Sequence, residues 1–114
     1  NKGIGEGLVR HLVKRYKGEE KLRVYLTARD TARGTETLEK IRREIGDSSP
    51  NSDIAYHQLD VTDQESIDAL VRHLKSEYGS ECVDILINNA GWAARGPEWS
   101  YEIARKTMDC NYYG

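Results

Sequence analysis

The sequence predicts an α/β layered fold with parallel strands, and three observations carry that prediction. Segments whose apolar residues recur at helical spacing alternate with short runs rich in Val, Ile and Leu. The links between those runs are too long for hairpins and long enough for a crossover helix, which parallel strands require. Each run stops at a distinct cluster of small or polar residues: Thr27-Ala28-Arg29, then Asp60-Val61, then Asn88-Asn89-Ala90-Gly91.

The first five residues, Asn1-Lys2-Gly3-Ile4-Gly5, read as the tail of a glycine-rich turn that opens a helix. Gly3 and Gly5 let backbone approach a ligand with no Cβ between, and the helix that follows aims unpaired N–H groups and the positive end of its dipole back at the turn. That arrangement suits a phosphate; the competing reading is an ordinary loop entering a helix. A phosphate turn of this kind follows a strand, and the 114 residues begin inside the turn.

From Ile4 to Tyr16 the residues Ile4, Leu8 and Leu12, with Val9 and Val13 beside them, mark one helical face, and Gly7 would allow a close approach to a sheet. Leu22 to Thr27 reads as a strand with Val24 and Leu26 on one side. Thr31 to Ile45 reads as a second amphipathic helix with Leu38, Ile41 and Ile45 as its stripe. Gly46 to Ser52 is the clearest loop, expected as a solvent-exposed insertion. Ile54 to Leu59 is the next expected strand.

Thr62 with Glu65 three residues on has the form of a capping box, and Ile67, Leu70, Val71, Leu74 and Tyr78 give a third helix ending near Gly79. Val83 to Asn88, apolar apart from Asp84 until its polar end, is expected as a strand covered on both faces. A loop with Gly96 and Pro97 leads to a fourth helix from about Ser100 to Asn111, with Ile103, Thr107, Met108 and Asn111 near one face.

Composition narrows the function classes. Charged residues make up 32% and apolar residues 38%, the formal net charge is −2, and no apolar run approaches the ~18 residues of a membrane span. A general nucleic-acid footprint and a membrane role are not expected. Cys82 and Cys110 have no CxxC or metal-ligand spacing with His11, His57 or His73, so reduced thiols, no metal site and a cytoplasmic location are expected.

Taken together, these residues resemble a short-chain dehydrogenase/reductase, and within that superfamily the carbonyl reductases. Asn1-Lys2-Gly3-Ile4-Gly5 resembles the second half of the Thr-Gly-x-x-x-Gly-x-Gly turn. Leu59-Asp60-Val61 resembles the adenine-side pocket, and Asn88-Asn89-Ala90-Gly91 the strand-four signature. Leu26-Thr27-Ala28-Arg29-Asp30 with Arg33-Gly34, and the end Met108 to Gly114, point to carbonyl reductases. The resemblance implies a Rossmann-type doubly wound parallel sheet, here a partial NAD(P)-binding domain over 1–114.

It also implies roles. NAD-selective members carry an acid where Ala28 stands, whereas a 2′-phosphate calls for a cation, and Arg29 follows with Lys2 beside the phosphate turn; NADPH is therefore the expected cofactor. Asp30 is a nearby charge that would weaken that preference. Asp60 would accept from the adenine amino group with the Val61 backbone alongside, and Asn88, Ala90 and Gly91 would line the adenosine ribose. The plainer reading of Asp60 is a turn residue between strand and helix.

Asn111 resembles the asparagine that bends its helix and holds a water for proton relay to the catalytic lysine; otherwise it is a polar helix end. Trp92, Trp99, Tyr112 and Tyr113 would border a carbonyl substrate or simply pack. The family's catalytic Ser and Tyr-x-x-x-Lys fall beyond Asn111 in family order, and no Tyr here is followed by Lys at a fitting position. The expected function is the cofactor-binding part of a reductase, monomeric when complete, acting on small ketones, aldehydes or quinones. The alternatives are a non-catalytic dinucleotide sensor or regulator of the same superfamily, separated by the Ser and Tyr-x-x-x-Lys, and a methyltransferase of similar layout. Without the strand expected ahead of Asn1, the strands at Leu22–Thr27 and Val83–Asn88 would lack their shared neighbour, and residues 1–114 alone are expected to be partly unfolded.

Overall fold

The structure, a computed structural model, describes residues 3–46 and 50–114. Its elements are α1 (Ile4–Arg15), β1 (Leu22–Ala28), α2 (Thr31–Ile45), β2 (Ser52–Gln58), α3 (Gln64–Tyr78) and α4 (Tyr101–Asn111). Two compact units divide the chain, Asn1–Leu59 and Asp60–Gly114.

In the first unit β1 and β2 pair in parallel, with Leu22 opposite Ser52 and Ala28 opposite Gln58. The alternation along each strand puts Val24 and Leu26 on the same face as Ile54 and Tyr56. Helices α1 and α2 cover that face. Val13, Leu26, Leu38, Ile41, Ile45 and Ile54 form the buried core, with Val9, Val24 and Tyr56 packed against it. Burying a side chain as fully as Ile41 or Ile54 contributes roughly 1.5–3 kcal/mol. On the other face Arg23 and Asp53, directly opposite in register, form an ion pair at 2.7 Å.

The α2 stripe of Leu38, Ile41 and Ile45 is buried as its spacing indicates, joined by Thr37 and Gly34. In α1 the buried side is set by Val13 and Val9; Ile4 is 82% exposed, and Gly7 faces open space rather than a sheet. A helical stripe at this density has two candidate centres one residue apart, and the sheet selects the one nearer the charged pairs to α2. Within the 46–52 segment, Asp47, Ser48 and Ser49 lie outside the described residues. Ser52 already belongs to β2, and Asn51 is tied down by accepting from Leu22 N–H at 2.8 Å and donating to the Gly18 carbonyl at 3.0 Å.

In the second unit α3 begins one residue later than a Thr62 cap would place it. Asp63 is the cap, accepting from Glu65 N–H at 3.1 Å, while the Thr62 hydroxyl donates to Asp60 at 2.7 Å. The helix is capped at Asp63 because its carboxylate, and not the Thr62 oxygen, accepts from a first-turn N–H. Helix α4, expected from about Ser100, is capped by Ser100, which accepts from Ile103 N–H at 3.2 Å.

The strand expected over 83–88 does not form. The sheet among the described residues has two strands, and Val83, Ile85, Leu86 and Ile87 are 51%, 79%, 77% and 48% exposed. An apolar run supplies the side chains for a buried strand, but a strand exists only where a neighbour takes its backbone N–H and C=O groups. No described segment pairs with this one.

Candidate functional site

The first unit gathers its predicted site residues at one edge. The Ser52 hydroxyl at the start of β2 donates to the Val13 carbonyl near the end of α1 at 2.9 Å, so α1 ends at the amino edge of the strands and runs antiparallel to them. Helix α2 lies beside α1 in the same direction: Glu6 pairs with Lys40 at 3.7 Å, Arg10 with Glu44 at 2.8 Å and Lys14 with Glu44 at 3.0 Å. Both helix N-termini therefore lie at the carboxyl edge of the sheet, where β1 delivers Ala28 and Arg29. In open α/β sheets that edge is where ligands bind.

Gly3 caps α1 at φ 72°, a left-handed conformation that favours glycine, and its carbonyl accepts from Gly7 N–H at 3.1 Å. Gly3 has no side chain to accept from the N–H groups of Gly5 or Glu6, whereas α2, α3 and α4 are capped by Asp30, Asp63 and Ser100. Among the described residues the first turn of α1 keeps its donors for something else. Asn1 and Lys2 lie outside the described residues.

Arg29 is exposed, and among the described residues its guanidinium has no ion-pair or hydrogen-bond partner. Its neighbour Asp30 is committed elsewhere. One carboxylate oxygen caps α2 by accepting from Arg33 N–H at 2.9 Å, and the other faces the Arg33 guanidinium at 3.8 Å. The nearest acid is thus engaged by the helix and by Arg33, which leaves the Arg29 charge open to an incoming anion.

In the second unit Asp60 takes the turn role. Its Oδ1 accepts from Thr62 N–H at 2.9 Å and from the Thr62 hydroxyl at 2.7 Å, and its own N–H donates to the buried Ser66 hydroxyl at 2.9 Å. Asn88, Ala90 and Gly91 are exposed in irregular backbone.

Asn111, the last residue of α4, meets this segment: Oδ1 accepts from Trp92 N–H at 2.7 Å and Nδ2 donates to the Trp92 carbonyl at 2.9 Å. A Cβ built on Gly91 would lie 3.7 Å from Asn111 Oδ1, and one on Gly114 would lie 2.7 Å from Val61 Cγ2. The end of α4 therefore brings Val61, Gly91 and Asn111 into one neighbourhood. Lys106 sits over the Trp92 ring, 4.7 Å from its centroid, and Tyr112 and Tyr113 stack edge to face with centroids 4.9 Å apart. Trp99 is 92% exposed.

Two contributors, Tyr56 and Ser66, carried no functional signal in the sequence. The Tyr56 hydroxyl donates to the Ala28 carbonyl at 3.2 Å, beside Arg29, and a Cβ on Gly34 would overlap the Tyr56 ring. Ser66 supports the Asp60 backbone. The alternation of β2 places Tyr56 on the helix-covered face, but its reach to Ala28 depends on register. Among the described residues no group of three His, Cys, Asp or Glu side chains is placed to hold a metal, no helix is long and apolar enough to cross a membrane, and Cys82 and Cys110 are free.

Comparison with known proteins bears on the family and the fold. The short chain dehydrogenase family model matches residues 1–114. Carbonyl reductase [NADPH] 1 of Bos taurus is 41% identical over all of this chain, which covers 38% of that protein. (+)-Neomenthol dehydrogenase of Arabidopsis thaliana is 34% identical over all of this chain, covering 42% of that protein. Among solved structures, menthone neomenthol reductase from Mentha piperita superposes with a TM-score of 0.58 at 34% identity, over 69% of this chain and 25% of that one. The chain thus spans about two-fifths of the length of the curated relatives it matches.

Proposed function

We propose that this chain, which belongs to the short-chain dehydrogenase family, supplies cofactor contacts to an NADPH-dependent reductase that transfers hydride to the carbonyl carbon of a small ketone, aldehyde or quinone. The observation that carries the reading is Arg29: an exposed cation at the carboxyl end of β1, without a partner among the described residues, next to Ala28, which stands where an NAD-selective site would place an acid. The names of the bovine relative and of the plant reductases, all proteins of oxidoreductase type, support it.

In this reading the first turn of α1 receives the pyrophosphate through Gly3, Ile4 and Gly5, and Asn1 and Lys2 are assigned to the same cofactor. Arg29 grips the 2′-phosphate with two parallel N–H donors. Asp60 and Val61 hold the adenine, and Asn88, Ala90 and Gly91 the adenosine ribose. The cofactor, when bound, provides the hydride; these residues bind it and orient it. Asn111 fixes the backbone beyond Gly91 through Trp92 and is the one residue here assigned to the proton relay. The catalytic Ser, Tyr and Lys would belong to other parts of the protein, which acts as a monomer in the cytoplasm.

The test is NADPH consumption by the full-length protein against one ketone, one aldehyde and one quinone. Turnover of at least one, faster with NADPH than with NADH, is expected. Nucleotide binding without turnover of any would instead favour the non-catalytic sensor, and failure to bind either nucleotide would overturn the reading.

A further inference from the structure

We infer that Tyr56 is a positioning residue for cofactor choice: its hydroxyl fixes the Ala28 carbonyl and so holds Arg29 where it can meet the 2′-phosphate. This rests on the reading of Arg29 given above and adds a residue to it. The backbone on either side of the Arg29 side chain is gripped from the end of β2. The Ala28 carbonyl accepts twice, from Leu59 N–H at 3.0 Å and from the Tyr56 hydroxyl at 3.2 Å, and the Arg29 carbonyl accepts from Gln58 Nε2 at 3.4 Å. One residue further on, Asp30 locks the start of α2.

Tyr56 can act this way because its own ring is held. It packs on the core between the sheet and α2, and Gly34, one turn into α2, leaves the space the ring occupies; a Cβ there would overlap it. The hydroxyl is thus delivered by a wedged ring rather than by a side chain free to turn. A guanidinium that must meet a phosphate with two parallel donors depends on where its Cα stands, because each donor weakens steeply with angle. A loosened Ala28 would cost binding of the 2′-phosphate and leave the rest of the nucleotide unaffected.

The experiment measures dissociation constants of the full-length protein for 2′,5′-ADP and for 5′-AMP, which differ by the 2′-phosphate, in wild type, Tyr56→Phe, Arg29→Ala and the double variant. Tyr56→Phe keeps the ring and removes only the hydroxyl, and its thermal unfolding is checked alongside. Tyr56→Phe is expected to weaken 2′,5′-ADP roughly threefold, as for one neutral hydrogen bond, with 5′-AMP unchanged. In the Arg29→Ala background the same change should do nothing further, because Tyr56 acts through Arg29.

An unchanged ratio of the two constants in Tyr56→Phe, or equal weakening of both nucleotides, overturns the assignment. So does the same loss with and without Arg29. If Arg29→Ala itself leaves the ratio unchanged, or wild type does not prefer 2′,5′-ADP, the reading of the site falls and this inference with it. If Arg29→Ala abolishes the preference while Tyr56→Phe does not, only the role of Tyr56 falls.

Discussion

The Asn111 side-chain amide is matched to the Trp92 backbone by two hydrogen bonds, one in each direction, at 2.7 and 2.9 Å. The pair joins the last residue of α4 to the segment that follows Asn88–Gly91, nineteen positions earlier. Both groups are exposed, so water replaces the partner when Asn111 is removed and the loss is modest. Asn111→Ala is expected to destabilise by about 1 kcal/mol and to speed hydrogen exchange at the Trp92 amide. Asn111→Asp, which keeps the acceptor, should restore most of that protection. Unchanged exchange in Asn111→Ala would show that the pair does not hold this backbone.

Gly34→Ala separates intrinsic propensity from packing. In an exposed helix interior the change stabilises by up to about 1 kcal/mol. Here the new methyl would overlap the Tyr56 ring, which is pinned by its hydroxyl and by the core. Overpacking of this kind costs about 1–3 kcal/mol, so thermal unfolding should move to lower temperature. Pairing it with Tyr56→Val, which vacates the space, should recover part of the loss. A Gly34→Ala protein more stable than wild type would mean the ring is not wedged.

Glu44 links α2 to α1 and gives a dependence on pH with a definite sign. Hydrogen bonds from Lys14 and then Arg10 hold its carboxyl below the usual glutamate range. A group whose pKa is depressed by folding stabilises above its unfolded value, near ~4.3, and that stabilisation disappears as pH falls through the lower folded value. Thermal midpoints of wild type and Glu44→Gln should therefore differ at pH 7, converge once acid has protonated the Glu44 carboxyl in the folded state, and draw together in high salt because the pairs lie at the surface. A difference that stays constant from neutral pH to strong acid would rule out the ion pairs as its source.

How much of this was legible in the sequence depended on whether a feature is local. Helix α2 was readable over Thr31–Ile45 because its Leu38–Ile41–Ile45 stripe and the break at Gly46 act within a turn or two of their own position. The parallel pairing of β1 with β2 followed from the connection length. The run at 83–88 was misread because composition reports what a strand would bury and is silent on whether a neighbour pairs with it. The α3 cap was misassigned by one residue because Thr62 and Asp63 are adjacent and both suit an N-cap, and the motif does not say which oxygen meets the first-turn N–H.

The candidate site divides the same way. Gly3 and Arg29 are visible as residue types at the ends of elements, where chemistry follows from position. The hydroxyl of Tyr56 on Ala28 and the Asn111–Trp92 pair depend on register and tertiary placement, which no short motif encodes.

The central claim is that Arg29 selects the 2′-phosphate, and the most direct measurement is the ratio of NADH to NADPH dissociation constants in full-length wild type and Arg29→Asp. Each charge-assisted hydrogen bond contributes about 1.5–3 kcal/mol, so the account predicts a preference for NADPH in wild type and its loss by a factor of ten or more in the variant, with NADH binding retained or improved as the new carboxylate meets the ribose hydroxyls. A ratio left unchanged by the charge reversal would contradict it.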